Sequence, residues 1–296
     1  MPLKENPLNN LKTVLNDNII QGECRFGIKS NICFNSTEIK TLKDNYNNDT
    51  NNDPVNKVTM GNVFKQYKCD TQKCIARRFD LNDDVFKSDG PYNTKNLLNN
   101  SNIDDVLRSY EYIFHDFKHL NFTMDDWHNN KNTDIYKLCN EVEYVCSFLN
   151  SGKRTIGFIL NTDIWAGKGT HWVCVFCDFR GEKTWYVDFF NSSGNNPSLN
   201  TKKLTNAIIN NVNNCTIKPS DTVVSSRVLN NKNQQNSETE CGLYSLYVIY
   251  CRCKNLSLDY FKNIDYERIK DNTMTEFRSY IFYNNYNKEN VEKEEL

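Results

Sequence analysis

At 296 residues, 38% of them hydrophobic and 12% aromatic, the chain is long enough to bury a substantial core as one large domain or two small ones, and its composition excludes wholesale disorder. Its 36 Lys and Arg against 37 Asp and Glu leave a net charge of −1, so no global field draws it to nucleic acid or to an anionic membrane.

The opening MPLKENPLNNLK has no signal-peptide apolar run, and no later stretch reaches the ~18–20 apolar residues of a spanning helix. A soluble chain with no membrane insertion, made in a reducing compartment, is expected. Its 12 cysteines should then be mainly free thiols and not a disulfide framework. Residues 1–90 are set apart as an N-terminal region, within which 41–57, TLKDNYNNDTNNDPVNK, reads as an exposed loop or linker. From Asn102 the apolar residues Ile103, Val106, Leu107, Tyr110, Ile113, Phe114 and Phe117 recur at helical spacing, with Asn102 or Ser101 as the cap and Asp104 and Asp105 in the first turn. TIGFIL at 155–160 is a buried-strand run. HWVCVFCDF (171–179) and KTWYVDFF (183–190) follow as strands around a turn at Arg180–Gly181. CGLYSLYVIYCRC then reads as a buried helix, and 287–296 as a charged, frayed tail.

The hairpin turn brings chemistry together. His171 and Asp188 are seventeen positions apart, and a two- or four-residue loop would place them on one face, with Cβ atoms ~5–8 Å apart. Asp188 would then accept the Nδ1–H of His171 and leave Nε2 as a base. The nucleophile expected for it is Cys241, at the start of a helix whose unpaired N–H groups favour thiolate. Gly242 would leave the backbone beside the sulfur open to a substrate carbonyl. The Cys241 N–H and an upstream side-chain amide would hold the oxyanion. Trp172, directly after the histidine, and Trp165, in the IWAGKGT loop, are expected to roof a narrow substrate channel that admits residues without a Cβ.

The segments THWVCVFCDF, WYVDFF and QNSETECGLY resemble the cysteine proteases that include adenovirus protease and the SUMO-deconjugating enzymes. Their pattern is His-Trp, Asp or Asn seventeen residues on, and Gln six positions before Cys-Gly. The resemblance implies His171, Asp188 and Cys241 as catalytic residues and selects Gln235 over Gln234 for the oxyanion. IGFILNTDIWAGKGTHWVCVF and SNIDDVLRSYEYIF are most similar to core-protein maturation proteases of large DNA viruses, of the poxvirus and African swine fever virus type, over roughly residues 97–255. LLNNSNIDD departs from the Trp-Leu-Asn-Asp opening of the SUMO-deconjugating branch, which points away from SUMO cleavage.

The fold so implied is α+β and papain-like: a central mixed sheet flanked by helices, with the nucleophile at a helix N-terminus. An accessory region at 1–90 would precede a protease domain at 91–286 and the tail at 287–296. The activity implied is a thiol endopeptidase without metal or organic cofactor. It would cut after Gly in Gly-Gly-X or Ala-Gly-X sequences of viral structural or core precursor proteins, in the virion and host cytoplasm. A modifier isopeptidase, an acyltransferase with the same triad, and a scaffold with a degenerate site are the rivals.

Other motifs read blandly. Cys174 and Cys177 alternate faces on a strand, so their C-x-x-C is no redox or zinc site. CDTQKC (69–74) and His115 with His119, on one helix face, lack clean zinc-ligand spacing. AGKGT (166–170) lacks the P-loop order and reads as a mobile loop beside the site. Cys251 and Cys253 are structural.

Overall fold

A computed structural model describes residues 2–15, 23–25, 28, 30–49, 58–88, 90–91, 96–263, 265–283 and 292–293. The chain divides into two units, Met1–Val14 with Asn93–Arg278 and Leu15–Tyr92 with Ser279–Leu296. The boundary drawn at residue 90 thus differs at the N-terminus, where the first residues belong to the larger unit. Asn6 Nδ2 donates to the carbonyls of Tyr260 (3.1 Å) and Glu267 (3.0 Å), and Tyr247 Oη donates to that of Leu8 at 2.6 Å. Of the tail at 287–296, only residues 292–293 are described.

A short helix α1 (Leu11–Leu15) comes first. In the smaller unit α2 (Ser36–Asp49), α3 (Met60–Tyr67) and α4 (Gln72–Arg78) pack around Phe34, Leu42, Met60, Val63, Phe64 and Ile75. Helix α2 corrects the loop reading of 41–57: it runs through Asp49, while 50–57 lie outside the described residues. Asn35 and Glu38 start it with a reciprocal box, Asn35 Oδ1 accepting from the Glu38 N–H and Glu38 Oε2 from the Asn35 N–H. Its one fully buried residue, Leu42, leaves almost no apolar period to read.

The cysteine expectation is also corrected. Cys24–Cys33, Cys69–Cys74 and Cys146–Cys215 are disulfides, and Cys139, Cys174, Cys177, Cys241, Cys251 and Cys253 are free and buried. Cα separations of 5.1–5.7 Å place each pair within bridging range.

The larger unit is a sheet between helices. Helix α5 (Asn100–Ile113) is capped by Asn99 and Asn102 in a reciprocal box, not by Ser101, and it ends at Ile113. Phe117 therefore belongs to β1 (Phe117–His119), and His115 and His119 share no helix face. His119 Nδ1 instead meets Glu111 Oε2 at 2.5 Å. There follow β2 (Thr123–Met124), α6 (Asp134–Asn140), α7 (Val142–Asn150), β3 (Thr155–Asn161), β4 (Trp172–Asp178), β5 (Thr184–Phe190), α8 (Leu199–Asn213), β6 (Val223–Val228), α9 (Cys241–Cys253), α10 (Asp259–Lys262) and α11 (Asp271–Ile281).

The sheet order is β1-β3-β4-β5-β6, with β2 also on β3. β3, β4 and β5 are antiparallel in succession, whereas β1, β2 and β6 pair in parallel with their neighbours. The sheet is mixed because the β5-to-β6 crossover carries α8, the long connection that parallel pairing requires.

One face of the sheet buries Val173, Val175, Cys177, Val187 and Phe189 against Leu138, Val145, Leu204 and Ile208 of α6, α7 and α8. The other carries α9: Ser245 Oγ donates to the Trp172 carbonyl at 3.3 Å, and a Cβ on Gly157 would stand 3.2 Å from Ile249 Cγ2. Only Cys177 of the C-x-x-C joins the first cluster, as strand alternation requires. Covered on both sides, β3 and β4 are buried at every residue.

Candidate active site

Cys241 is the first residue of α9, and Glu240 is its N-cap. Burial pushes the thiol's pKa up, while the backbone N–H groups of Trp172, Gly242 and Cys241 itself pull it down. The net direction is upward, opposite to the expectation drawn from the helix start, because the residue is only 3% exposed. Gly242 is also corrected. It is buried and does not line the cleft; a Cβ there would meet Leu98 Cδ1 at 3.0 Å, so the missing side chain makes room for Leu98 and not for substrate. Leu98 in turn holds Trp172, whose Nε1 donates to the Leu98 carbonyl at 3.1 Å.

His171 sits one residue before β4, half-buried. Its Nε2 lies 2.8 Å from Asn191 Oδ1. The same oxygen accepts from the Ser193 N–H at 2.9 Å and from Ser193 Oγ at 2.7 Å. A backbone N–H only donates, so the Asn191 amide must present its oxygen here. The Nε2 of a neutral His171 therefore carries the proton and Nδ1 the lone pair, the reverse of the tautomer expected from sequence.

Asp188 does not meet His171. The register pairs it with Phe176, since the innermost pair, Asp178 with Tyr186, centres the hairpin on Glu182 and not on Arg180–Gly181. Its fully buried carboxylate accepts from Arg227 Nε (2.7 Å) and Nη2 (2.9 Å), and Arg252 Nε stands 3.2 Å away. Arg252 continues to Asp178 at 2.7 Å, and Asp178 to Arg180 at 2.9 Å, so Asp188 belongs to a charge chain joining β4, β5 and β6 to the end of α9. The Asn191 that replaces it is twenty residues after His171, just past β5. Its signal in the sequence was the polar turn NSSG. Gly194 there has φ +75°, and a Cβ would lie 2.3 Å from the Lys232 carbonyl carbon, so the turn accepts no side chain.

Asn191 and the turn dock the segment that carries Gln235. Asn230 Nδ2 donates to the Asn191 carbonyl at 2.6 Å, and the N–H groups of Gln234 (2.7 Å) and Gln235 (3.2 Å) donate to that of Ser192. The Gln235 side chain closes on its own loop, accepting from Ser192 Oγ at 2.8 Å and donating to the Ser237 carbonyl at 2.6 Å. It is not among the residues lining the cleft.

That cleft, about 320 Å³, is lined by His171, Cys241, Trp172, Trp165, Phe122 and Asn161 among others. Phe122 stands between the indoles, 5.8 Å from Trp165 and edge-on to Trp172 at 6.1 Å, so both predicted tryptophans border it. Trp172 is buried, whereas Trp165 is 36% exposed. The loop 162–170, expected to be mobile, is tied across its neck. Asp163 accepts from the N–H groups of Ile164 (2.8 Å) and Gly169 (3.0 Å), and Thr162 and Thr170 hydroxyls meet at 2.9 Å. Asn161 Oδ1 accepts from the N–H groups of Asp163 and Thr170 at 3.0 Å each, leaving its Nδ2 as a donor in the cleft wall. The sequence reading missed Asn161; a buried amide ending an apolar strand was its signal.

Among the described residues no group of three or more His, Cys, Asp or Glu is placed to hold a metal, and Cys69 and Cys74 are bonded to each other. No helix among them is long and apolar enough to cross a membrane.

With a thiol, an oriented imidazole and a buried amide in place, comparison with known proteins is informative. Residues 117–290 match the Ulp1 protease family, C-terminal catalytic domain. A protein of African swine fever virus (isolate Warthog/Namibia/Wart80/1980) described as a SUMO-1 cysteine protease is 32% identical over 235 residues, 72% of this chain and 83% of its own. A cysteine protease from the Badajoz 1971 Vero-adapted strain matches equally, at 32% over 235 residues. In three dimensions the chain is similar to the crystal structure of an African swine fever virus protease, with TM-score 0.64 and 26% identity, over 89% of this chain and 96% of that one.

Proposed function

Because the chain belongs to the Ulp1 protease family and is a cysteine peptidase, we propose that Cys241 is its nucleophile, His171 its general base and acid, and Asn191 the residue that positions His171. The observation that carries this is the Asn191 oxygen, which receives Nε2–H of His171 and leaves the Nδ1 lone pair free in a residue that lines the same cleft as Cys241.

In the first step Nδ1 takes the thiol proton. The sulfur attacks the peptide carbonyl, and the carbonyl pair moves onto oxygen. The Cys241 N–H faces that oxyanion, together with the Gln235 amide once its Nε2 leaves the Ser237 carbonyl. Collapse expels the amine, which takes the proton from His171. Water, deprotonated by the same nitrogen, then hydrolyses the thioester.

Cleavage after Gly, in Gly-Gly-X or Ala-Gly-X sequences of a structural or core precursor, is the substrate reading. It is supported by the aromatic border of the cleft, where Trp165, Phe122 and Trp172 crowd the approach to Cys241. The viral origin of its relatives supports a virion precursor and a place in the virion or host cytoplasm.

The test is a peptide library varied before the scissile bond, run beside a modifier fusion, with terminal sequencing of products. Gly replaced by Leu directly before the bond should lower cleavage far more than the same change directly after it. Equal cleavage after Leu, Phe or Lys would refute the Gly reading, and cleavage of the fusion alone would favour an isopeptidase.

A further inference from the structure

The residue before Cys241 is a carboxylate almost out of water. Glu240 is 3% exposed and accepts from the hydroxyls of Ser237 and Thr239, the latter at 2.7 Å. Facing it from α11 is Arg278, itself 2% exposed, with Nη2 4.0 Å from Glu240 Oε1 and Nη1 donating to the Asn96 carbonyl at 3.0 Å. None of the proton transfers assigned to His171 and Cys241 uses either group.

A buried negative charge beside a thiol opposes thiolate formation, and Glu240 does raise Cys241 in this way. A guanidinium set against that carboxylate offsets the opposition, strongly so where water is excluded. Among the described residues, the charged or titratable groups that line the cleft beside the thiol are His171 before β4 and Lys168 of the 162–170 loop, and Asp271 stands at the start of α11. Asp271 is engaged by the Tyr244 hydroxyl at 2.8 Å and by the N–H groups of Asn236 and Ser237 at 3.0 Å each.

We propose that Arg278 is a positioning residue for the nucleophile: by facing Glu240 it fixes the turn that launches α9 and lets Cys241 ionise at a lower pH than it would beside an unopposed carboxylate. The inference rests on Cys241 being the nucleophile.

The experiment is the pH dependence of iodoacetamide alkylation of Cys241 in the full chain, read on its own peptide by mass spectrometry, with circular dichroism as the check on folding. Arg278→Met should raise the midpoint by about one pH unit, roughly a tenfold slower alkylation at any pH below both midpoints. Glu240→Gln should lower it, the double variant should return towards wild type, and Arg278→Lys should stay near wild type. A folded Arg278→Met protein with the wild-type midpoint would overturn the inference. Should Arg278→Met fail to fold, the near-isosteric Glu240→Gln decides, and an unmoved midpoint there overturns it equally. Peptide cleavage retained by Cys241→Ala would instead remove the nucleophile assignment, a result separate from an unmoved midpoint.

Discussion

Asn191 and Asp188 separate two accounts of the site by what each substitution should damage. Asn191→Ala removes the acceptor 2.8 Å from His171 Nε2. A hydrogen bond to a group that becomes charged contributes about 1.5–3 kcal/mol, so kcat/KM should fall by roughly 10- to 150-fold. Its backbone bonds to Asn230 remain, and the half-buried Ser193 can turn to water, so the melting temperature should change little. Asn191→Asp keeps an acceptor at that position and should retain most activity.

Asp188→Ala acts on the fold. It strands Arg227, 2.7 Å from the lost carboxylate, and leaves Arg252, 3.2 Å away, with Asp178 alone, around a fully buried position. Breaking a buried pair costs about 3–5 kcal/mol. At about 2–4 °C per kcal/mol for a domain of this size, the melting temperature should drop by roughly 6–20 °C. Turnover measured well below that temperature should stay within a few-fold of wild type. Steady-state kinetics on a fluorogenic peptide and thermal melts of the three variants decide it. An Asn191→Ala enzyme within two- to three-fold of wild type, beside an Asp188→Ala enzyme that melts normally yet turns over a hundredfold more slowly, would refute the assignment.

Cys241→Ala should abolish peptide cleavage without unfolding the chain, while Cys251→Ala, near the far end of the same helix, should leave turnover largely intact; kinetics on both variants check this. Gln235→Ala should lower kcat by about 10²–10³-fold, the usual loss for one oxyanion donor. Gln234→Ala should lower it far less, since Gln234 is buried behind the loop; equal losses would contradict the spacing argument. Asp104 carries a stability prediction. Burial raises its carboxyl from 3.8 to about 6, so between those values the folded state holds the proton more tightly than the unfolded one. Its contribution is then best below pH 4 and is lost as pH rises through about 6. Asp104→Asn, which can still accept from the Phe122 N–H, should raise the melting temperature at pH 7.5 and leave it unchanged near pH 4. A pH-independent difference would show that Asp104 does not titrate this way.

Much of the site was legible because it is local. Apolar runs marked β3, β4, β5 and α9 within a residue or two of their ends, and the Cys-Gly join marked the start of α9. Weakly patterned segments were read less well: α2 has one fully buried residue to betray it, and α5 was placed too late because the Asn99–Asn102 box caps it before its apolar stripe begins. Cysteine pairing was not legible at all, because partners as far apart as Cys146 and Cys215 meet only when α7 and the end of α8 pack together.

The sequence by itself determined the strands and the helix that carry His171 and Cys241, through residue types and intervals confined to one strand or one helix. Only the tertiary structure decided which residue faces the imidazole. A hairpin's register is normally readable from which alternate residues are apolar. β4 is buried on both faces, so its continuous apolar run has no alternation to read. The choice then passed to the turn between the paired residues Asp178 and Tyr186, whose length sends Asp188 to Arg227 and Arg252 and brings Asn191 to His171.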